Sequence, residues 1–222
     1  MPGSPQADAE PERFEPVGLP ELPAELALSQ LPAGRHGLPR SFVARNQRLR
    51  IVAAMLRVLP RHGYAKTTIG HLTREAGVSR ASFYGQFESK EECFLATYDI
   101  AAGWLCERVE KAVSAEGRWP GGARAGIREA MRLLAANPDV AHLIAVESLQ
   151  AGTAARRRRQ VCIEHLATIL RASRPAEAEL PGDLEELLIG GTLSLIGRYV
   201  DTGRIDRLPD TTADLVALYF LK

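Results

Sequence analysis

Arg80, Ala81, Ser82, Tyr84 and Gln86 fall within seven consecutive positions, and together they form a set of side chains able to read a nucleic acid. Arginine and glutamine pair bidentately with guanine and adenine edges, an alanine methyl or a serine Cβ touches a thymine methyl, and a tyrosine hydroxyl donates to phosphate. Such groups act in concert only if one rigid element presents them on one side. Ser79 suits the cap of a helix beginning at Arg80, and Phe83 and Phe87, four positions apart, give that helix one buried stripe. The helix, Arg80 to about Gln86, is shorter than the roughly 12 residues below which an isolated helix is marginal in water, so neighbouring elements must hold it.

Those neighbours are legible on either side. Thr68 precedes the apolar spacing of Ile69, Leu72 and Ala76, and Gly77 can take the positive φ at which a chain leaves a helix. Upstream, a first helix begins near Ser41 and runs through Leu49, Val52, Ala53, Leu56 and Leu59, with Pro60 expected to kink its last turn and Gly63 to close it. Downstream, Ser89 and Glu92 form a capping box for a long helix whose stripe of Phe94, Tyr98, Ala101, Leu105, Val109 and Ala112 continues to about Glu116. At 1.5 Å per residue this rod spans roughly 40 Å and links the reading helix to everything after it.

In this segment the chain closely resembles the TetR family of bacterial transcription regulators. Thr67, Thr68, Ala76, Gly77, Val78, Ser79, Phe83, Tyr84, Phe87, Ser89, Lys90, Glu91 and Glu92 fall on the family's pattern, with Gly63 and Tyr64 ahead of them. Gly85, where the family often has a large residue, and Gly70, at a usually polar position, depart from it. The resemblance implies an all-α fold, with a three-helix helix-turn-helix DNA-binding domain at 41–88 and a helical ligand-binding and dimerisation domain at 89–222. It implies a repressor that binds a palindromic double-stranded DNA operator as a homodimer and is released by a small-molecule effector of unknown identity. It places Tyr84 and Lys90 at phosphates, whereas their chemistry places Arg80 and Gln86 at base edges; Thr67, Thr68, Ser79, Ala81, Ser82, Arg45 and Arg40 complete the expected DNA contacts.

Charge distribution points the same way. The net charge of the chain is only +1, but residues 41–90 hold nine basic residues against Glu75 and Glu88, a local excess that attracts phosphate. Residues 1–40 read as a disordered, Pro-rich acidic tail, with Leu22–Leu31 the one stretch able to form a short helix. It ends in Arg35, His36 and Arg40, which serve equally well as a minor-groove arm or as a plain linker.

Beyond the long helix, apolar spacing and helix breakers predict helices at Ala123–Ala136, Pro138–Leu149, Thr153–Ala172, Asp183–Thr202 and Thr211–Leu221. The last two carry Leu187, Gly190, Gly191, Leu195, Leu215, Leu218 and Tyr219; they either pair with a second copy, as the resemblance implies, or close an intramolecular core. Candidate ligand residues are Trp104, Met131, His142, Glu147, Cys162, His165 and Tyr199, the polar and aromatic groups on segments that line the pocket in similar proteins. Cys93, Cys106 and Cys162 show no paired spacing and read as free thiols, and Cys162 with His165 lacks the second ligand pair that a metal site needs. Nothing in the sequence calls for a cofactor. No phosphate loop, Gly-x-Ser-x-Gly elbow or zincin motif supports an enzyme. With no membrane span or signal peptide, the chain is expected in the cytoplasm. The rival reading is a protein-interaction module that keeps this fold without specific DNA binding.

Overall fold

The computed structural model describes residues 40–117, 119–175 and 183–220, with helices joined by short turns and no strand among the described residues. The acidic tail, its candidate short helix and most of the basic arm lie outside these residues, as does the side chain of Arg40.

Helix α1, Arg40–Lys66, continues past Pro60 and leaves helical geometry only at Gly63 (φ 68°, ψ 161°). The expected kink is thus displaced to the one nearby residue without a Cβ, where a positive φ is unstrained. Helix α2, Ile69–Ala76, is capped by Thr68, whose Oγ1 accepts the His71 N–H, and ends at Gly77 in the left-handed conformation. Helix α3, Arg80–Tyr84, is capped by Ser79 Oγ and stops two residues earlier than its sequence suggests, because Gly85 closes the last turn. Ile51, Met55, Leu59, Leu72, Phe83 and Phe87 form the buried centre of these three helices. Five-residue α3 owes its shape to this core, and Phe83 and Phe87 pack with ring centroids 5.8 Å apart.

Helix α4, Lys90–Glu116, begins on the Ser89 cap, with Ser89 Oγ accepting the Glu92 N–H. Glu92 returns its carboxylate to the Glu88 N–H, one residue upstream of the usual capping-box partner. Behind α4 stand α5 (Gly121–Ala136), α6 (Pro138–His142), α7 (Ser148–Gln150), α8 (Thr153–Ala172), α9 (Leu184–Asp201) and α10 (Thr212–Phe220). The predicted single helix from Pro138 is broken between α6 and α7 by a π-helical turn at Leu143–Glu147, and a 3-10 turn at Ile205–Thr211 occupies the expected loop before α10.

Helix α4 is the spine of the C-terminal domain, packed against α1 at its start and against α5 and α8 along its length. Its approach to α5 depends on Gly126: a Cβ built there would lie 2.6 Å from Val113 Cγ2. Helix α9 packs on α8, and α10 on α5. At the far end the wholly buried Glu185 is paired with Arg174 at 3.1 Å and Arg171 at 3.5 Å, which fixes the start of α9 to the end of α8.

Candidate nucleic-acid interface and ligand cavity

The outer side of the helix-turn-helix carries Thr68, Ser79, Arg80, Ala81 and Tyr84, all exposed, with Ser82 and Gln86 half-buried beside them. Tyr84 is the most open large apolar residue of this domain at 57% exposure; its ring rests edge-on against Phe83, 5.6 Å between centroids, and its hydroxyl is carried outward. Ser79 and Ser82 are engaged with each other, hydroxyl to hydroxyl at 3.0 Å, while Ser79 Oγ also accepts the Ser82 N–H. Arg80 extends over Gly70, where a Cβ would lie 3.7 Å from the guanidinium. A side chain at this position would make only ordinary contact with the guanidinium, so Arg80 does not require a glycine there.

One expected contact requires correction, and a second side chain also holds the fold. Thr67 is 2% exposed, and its hydroxyl donates to the Gly63 carbonyl at 2.8 Å, so it closes the end of α1 and its side chain cannot reach DNA. Lys90 donates from Nζ to the Tyr64 carbonyl at 2.8 Å and sits 4.1 Å over the Tyr64 ring. Burial lowers its pKa from the usual lysine value. The ammonium stitches α4 to the end of α1 with one of its three N–H donors.

The same holds for much of the local positive charge. Arg50 caps the end of α2 by donating to the Ala76 and Gly77 carbonyls. Arg48 donates to the Gln86 carbonyl at 2.8 Å and lies over the Phe87 ring. Arg57 and Arg61 converge on Glu75 at 2.7 and 3.2 Å, and the Arg57 hydrogen bond above all holds the Glu75 carboxyl below its usual pKa. Arg45, Lys66, Arg74 and Arg80 are exposed on this domain, as is Arg61 despite its bond to Glu75. Five of nine cations build the domain, and a charge count by itself cannot separate builders from binders.

The C-terminal domain holds a partly open apolar cavity of about 80 Å³ bounded by α4, α5, α8, α9 and α10. Leu105, Val109, Met131, Leu166, Leu193 and Leu215 are among its walls, and Thr192 alone in its lining has a polar side chain. Of the candidate ligand residues, only Met131 faces it. Trp104 is buried in the core away from the cavity, and His165 and Tyr199 stand elsewhere on α8 and α9. Cys162 lies 4.0 Å from Cys106, sulfur to sulfur, between α8 and α4. Glu147 and His142 are paired at 3.0 Å and face the DNA-binding domain: Glu147, 2% exposed, accepts the Tyr64 N–H. Glu147 and His142 thus join the two domains, and the leucine-rich walls have the composition of core.

Among the expected interface residues, Leu187 is 71% exposed, and nothing lies within 4 Å of a Cβ at Gly190 or Gly191. Leu195 and Leu215 are half-buried, and Leu215 lines the cavity. The side chains of Leu218 and Tyr219 lie outside the described residues.

This arrangement defines an all-helical architecture: a helix-turn-helix head joined through one long helix to a body with a partly open apolar cavity. Residues 51–97 match the model of the bacterial regulatory proteins of the tetR family. The transcriptional regulator FadR from Bacillus subtilis, solved in complex with stearoyl-CoA, has a similar fold, with TM-score 0.66 and 19% identity over 77% of this chain and 96% of that one. The fatty acid degradation regulator FadR from Bacillus halodurans aligns with TM-score 0.67 and 18% identity over 78% of this chain and 94% of its own. A TetR family regulator from Marinobacter aquaeolei VT8 aligns with TM-score 0.62 and 17% identity, covering 80% and 98%. No curated protein matches the sequence. The family and these neighbours are transcription regulators and not enzymes. Among the described residues, no helix is long and apolar enough to cross a membrane.

Proposed function

We propose that the chain is a transcriptional repressor that binds a palindromic DNA site as a homodimer and releases it when an apolar ligand enters the body. The observation that carries this reading is the double role of α4, which starts beside the reading helix and walls the cavity with Leu105 and Val109. Arg80 and Gln86 read base edges, Ala81 approaches a thymine methyl, and Tyr84 with Arg45 holds phosphates. A five-residue helix makes too few base contacts alone. A second copy doubles them at one helical turn of DNA or a multiple. The open side of α9, at Leu187, Gly190 and Gly191, supports pairing with that copy.

The walls of the cavity favour a hydrocarbon chain whose polar end stays outside, and stearoyl-CoA in the B. subtilis neighbour supports an acyl compound as effector class. At about 80 Å³ the cavity is smaller than a roughly 150 Å³ apolar cavity that holds benzene, so a long chain must part α5, α8 and α9 to enter. Parting them tilts α4, and its first turn carries the reading head along. A coupling of about 1–3 kcal/mol changes DNA affinity 5- to 150-fold, and DNA must weaken ligand binding equally.

The test is selection of bound DNA from a random pool, followed by titration of the selected site with and without stearoyl-CoA. A palindrome, a complex of two chains per site and release by the acyl compound are expected. No preferred sequence at low salt would favour the rival, a fold kept for protein contacts alone.

A further inference from the structure

Cys106 on α4 and Cys162 on α8 face each other with their sulfurs 4.0 Å apart, both essentially without solvent exposure. The surroundings of this pair are polar, unlike the leucine walls of the cavity. The Tyr98 hydroxyl is buried, has no other hydrogen-bond partner among the described residues, and adjoins the Cys162 sulfur. Arg159, one turn before Cys162, has a buried Nε with no partner among the described residues, and its charge acts on both Cys162 and Tyr98. Such a cluster is arranged to hold negative charge on one sulfur. Hydrogen bonding from Cys106 first, then from Tyr98, with the charge of Arg159, lowers the pKa of Cys162, while the Cys162 contact raises that of Cys106. Cys93 provides the contrast: burial pushes its thiol up to about 12 and keeps it inert.

We propose that Cys106 and Cys162 form a reversible disulfide when the protein meets a hydroperoxide, and that this bond alters DNA binding by drawing α4 toward α8. The Cys162 thiolate attacks the peroxide oxygen, the O–O bond breaks, and Cys162 becomes a sulfenic acid while the peroxide leaves as water or an alcohol. The Cys106 sulfur then attacks Cys162 and displaces hydroxide, which departs as water with the Cys106 proton. Two thiols are oxidised by two electrons and one peroxide is reduced by two. A disulfide requires about 2.05 Å between sulfurs, so closing from 4.0 Å moves the two helices or their side chains together. Because α4 leads directly to the reading head, that closure acts on the same element as the ligand. The effect on DNA rests on the repressor reading above; the bond itself does not. Burial restricts the reaction to small uncharged oxidants, reached through local opening.

The full-length protein is treated with hydrogen peroxide, denatured, alkylated with iodoacetamide and digested. Expected are one alkylated thiol, Cys93, and a linked peptide pair containing Cys106 and Cys162 that dithiothreitol separates, with oxidised glutathione giving no reaction. Affinity for the selected DNA should shift at least about fivefold in the oxidised protein, and not at all in Cys106→Ala or Cys162→Ala proteins given the same treatment. Three alkylated thiols, or links between chains, overturn the disulfide. A formed bond with unchanged DNA affinity overturns the switch. Absence of DNA binding by the reduced protein overturns the repressor reading and the switch together, whereas the peptide map still decides the disulfide.

Discussion

The Glu147 carboxylate accepts the backbone N–H of Tyr64 at 2.8 Å, joining the π-helical turn of the body to the last turn of α1 across 83 positions of sequence. Lys90 donates to the carbonyl of that same Tyr64, whose ring packs edge-on against Phe94. Tyr64 is therefore held by the body on one side and by the first turn of α4 on the other, one residue after the bend at Gly63. Glu147→Ala should destabilise the protein by about 1–3 kcal/mol, since it leaves a partly buried N–H unpaired. Glu147→Gln keeps an acceptor and should cost less than half as much. Urea unfolding of both variants decides; equal and negligible losses would mean that this contact does not fasten the domains.

Base readers and phosphate holders should separate in DNA titrations. Arg80→Ala and Gln86→Ala are expected to change preference at single base pairs by roughly 1–3 kcal/mol, whereas Arg45→Ala should weaken all sequences alike and reduce the salt slope by about one. Lys90→Ala should instead lower the melting temperature, because its ammonium is bound to Tyr64. An unchanged melting temperature with a reduced salt slope would return Lys90 to the phosphates.

Filling the cavity should uncouple the effector without touching the reader. Ala130→Leu adds methylenes to a wall of the 80 Å³ space and should weaken stearoyl-CoA binding at least tenfold, with DNA affinity retained. Equal stearoyl-CoA affinity in both proteins would move the ligand elsewhere.

Acid should loosen the head through Glu75. Its folded-state pKa lies below the usual carboxylate value, so its bonds to Arg57 and Arg61 stabilise the fold above the ordinary range near 4.3. That contribution is lost as pH falls through the depressed folded value. Glu75→Gln should be less stable at neutral pH and flatter on the acid limb of a stability profile. Parallel acid limbs would show that the pair contributes nothing there.

Local signals made the head legible: Thr68, Ser79 and Ser89 cap helices through hydrogen bonds to their own neighbours, and Gly77 turns where only its own φ matters. The burial of Thr67 and the occupation of Arg48, Arg50 and Lys90 depend on partners 4 to 38 positions away, which spacing does not reveal. Glu147 is the extreme case, a buried carboxylate whose main partner is a backbone N–H in the other domain. The cavity escaped for a different reason. Its walls have the composition of packed core, and only their distances apart distinguish a void from a contact.

Gly85 has ordinary right-handed dihedrals (φ −74°, ψ −10°) and stands exposed beside Tyr84, and a Cβ there would meet the Ala81 and Ser82 carbonyls at 3.4 and 3.6 Å. Nothing in the backbone demands a glycine. The reading helix thus holds a blank letter: its target vocabulary can be extended by one substitution without rebuilding the head, and lineages or engineers that write an asparagine or lysine there gain a new word at little structural cost.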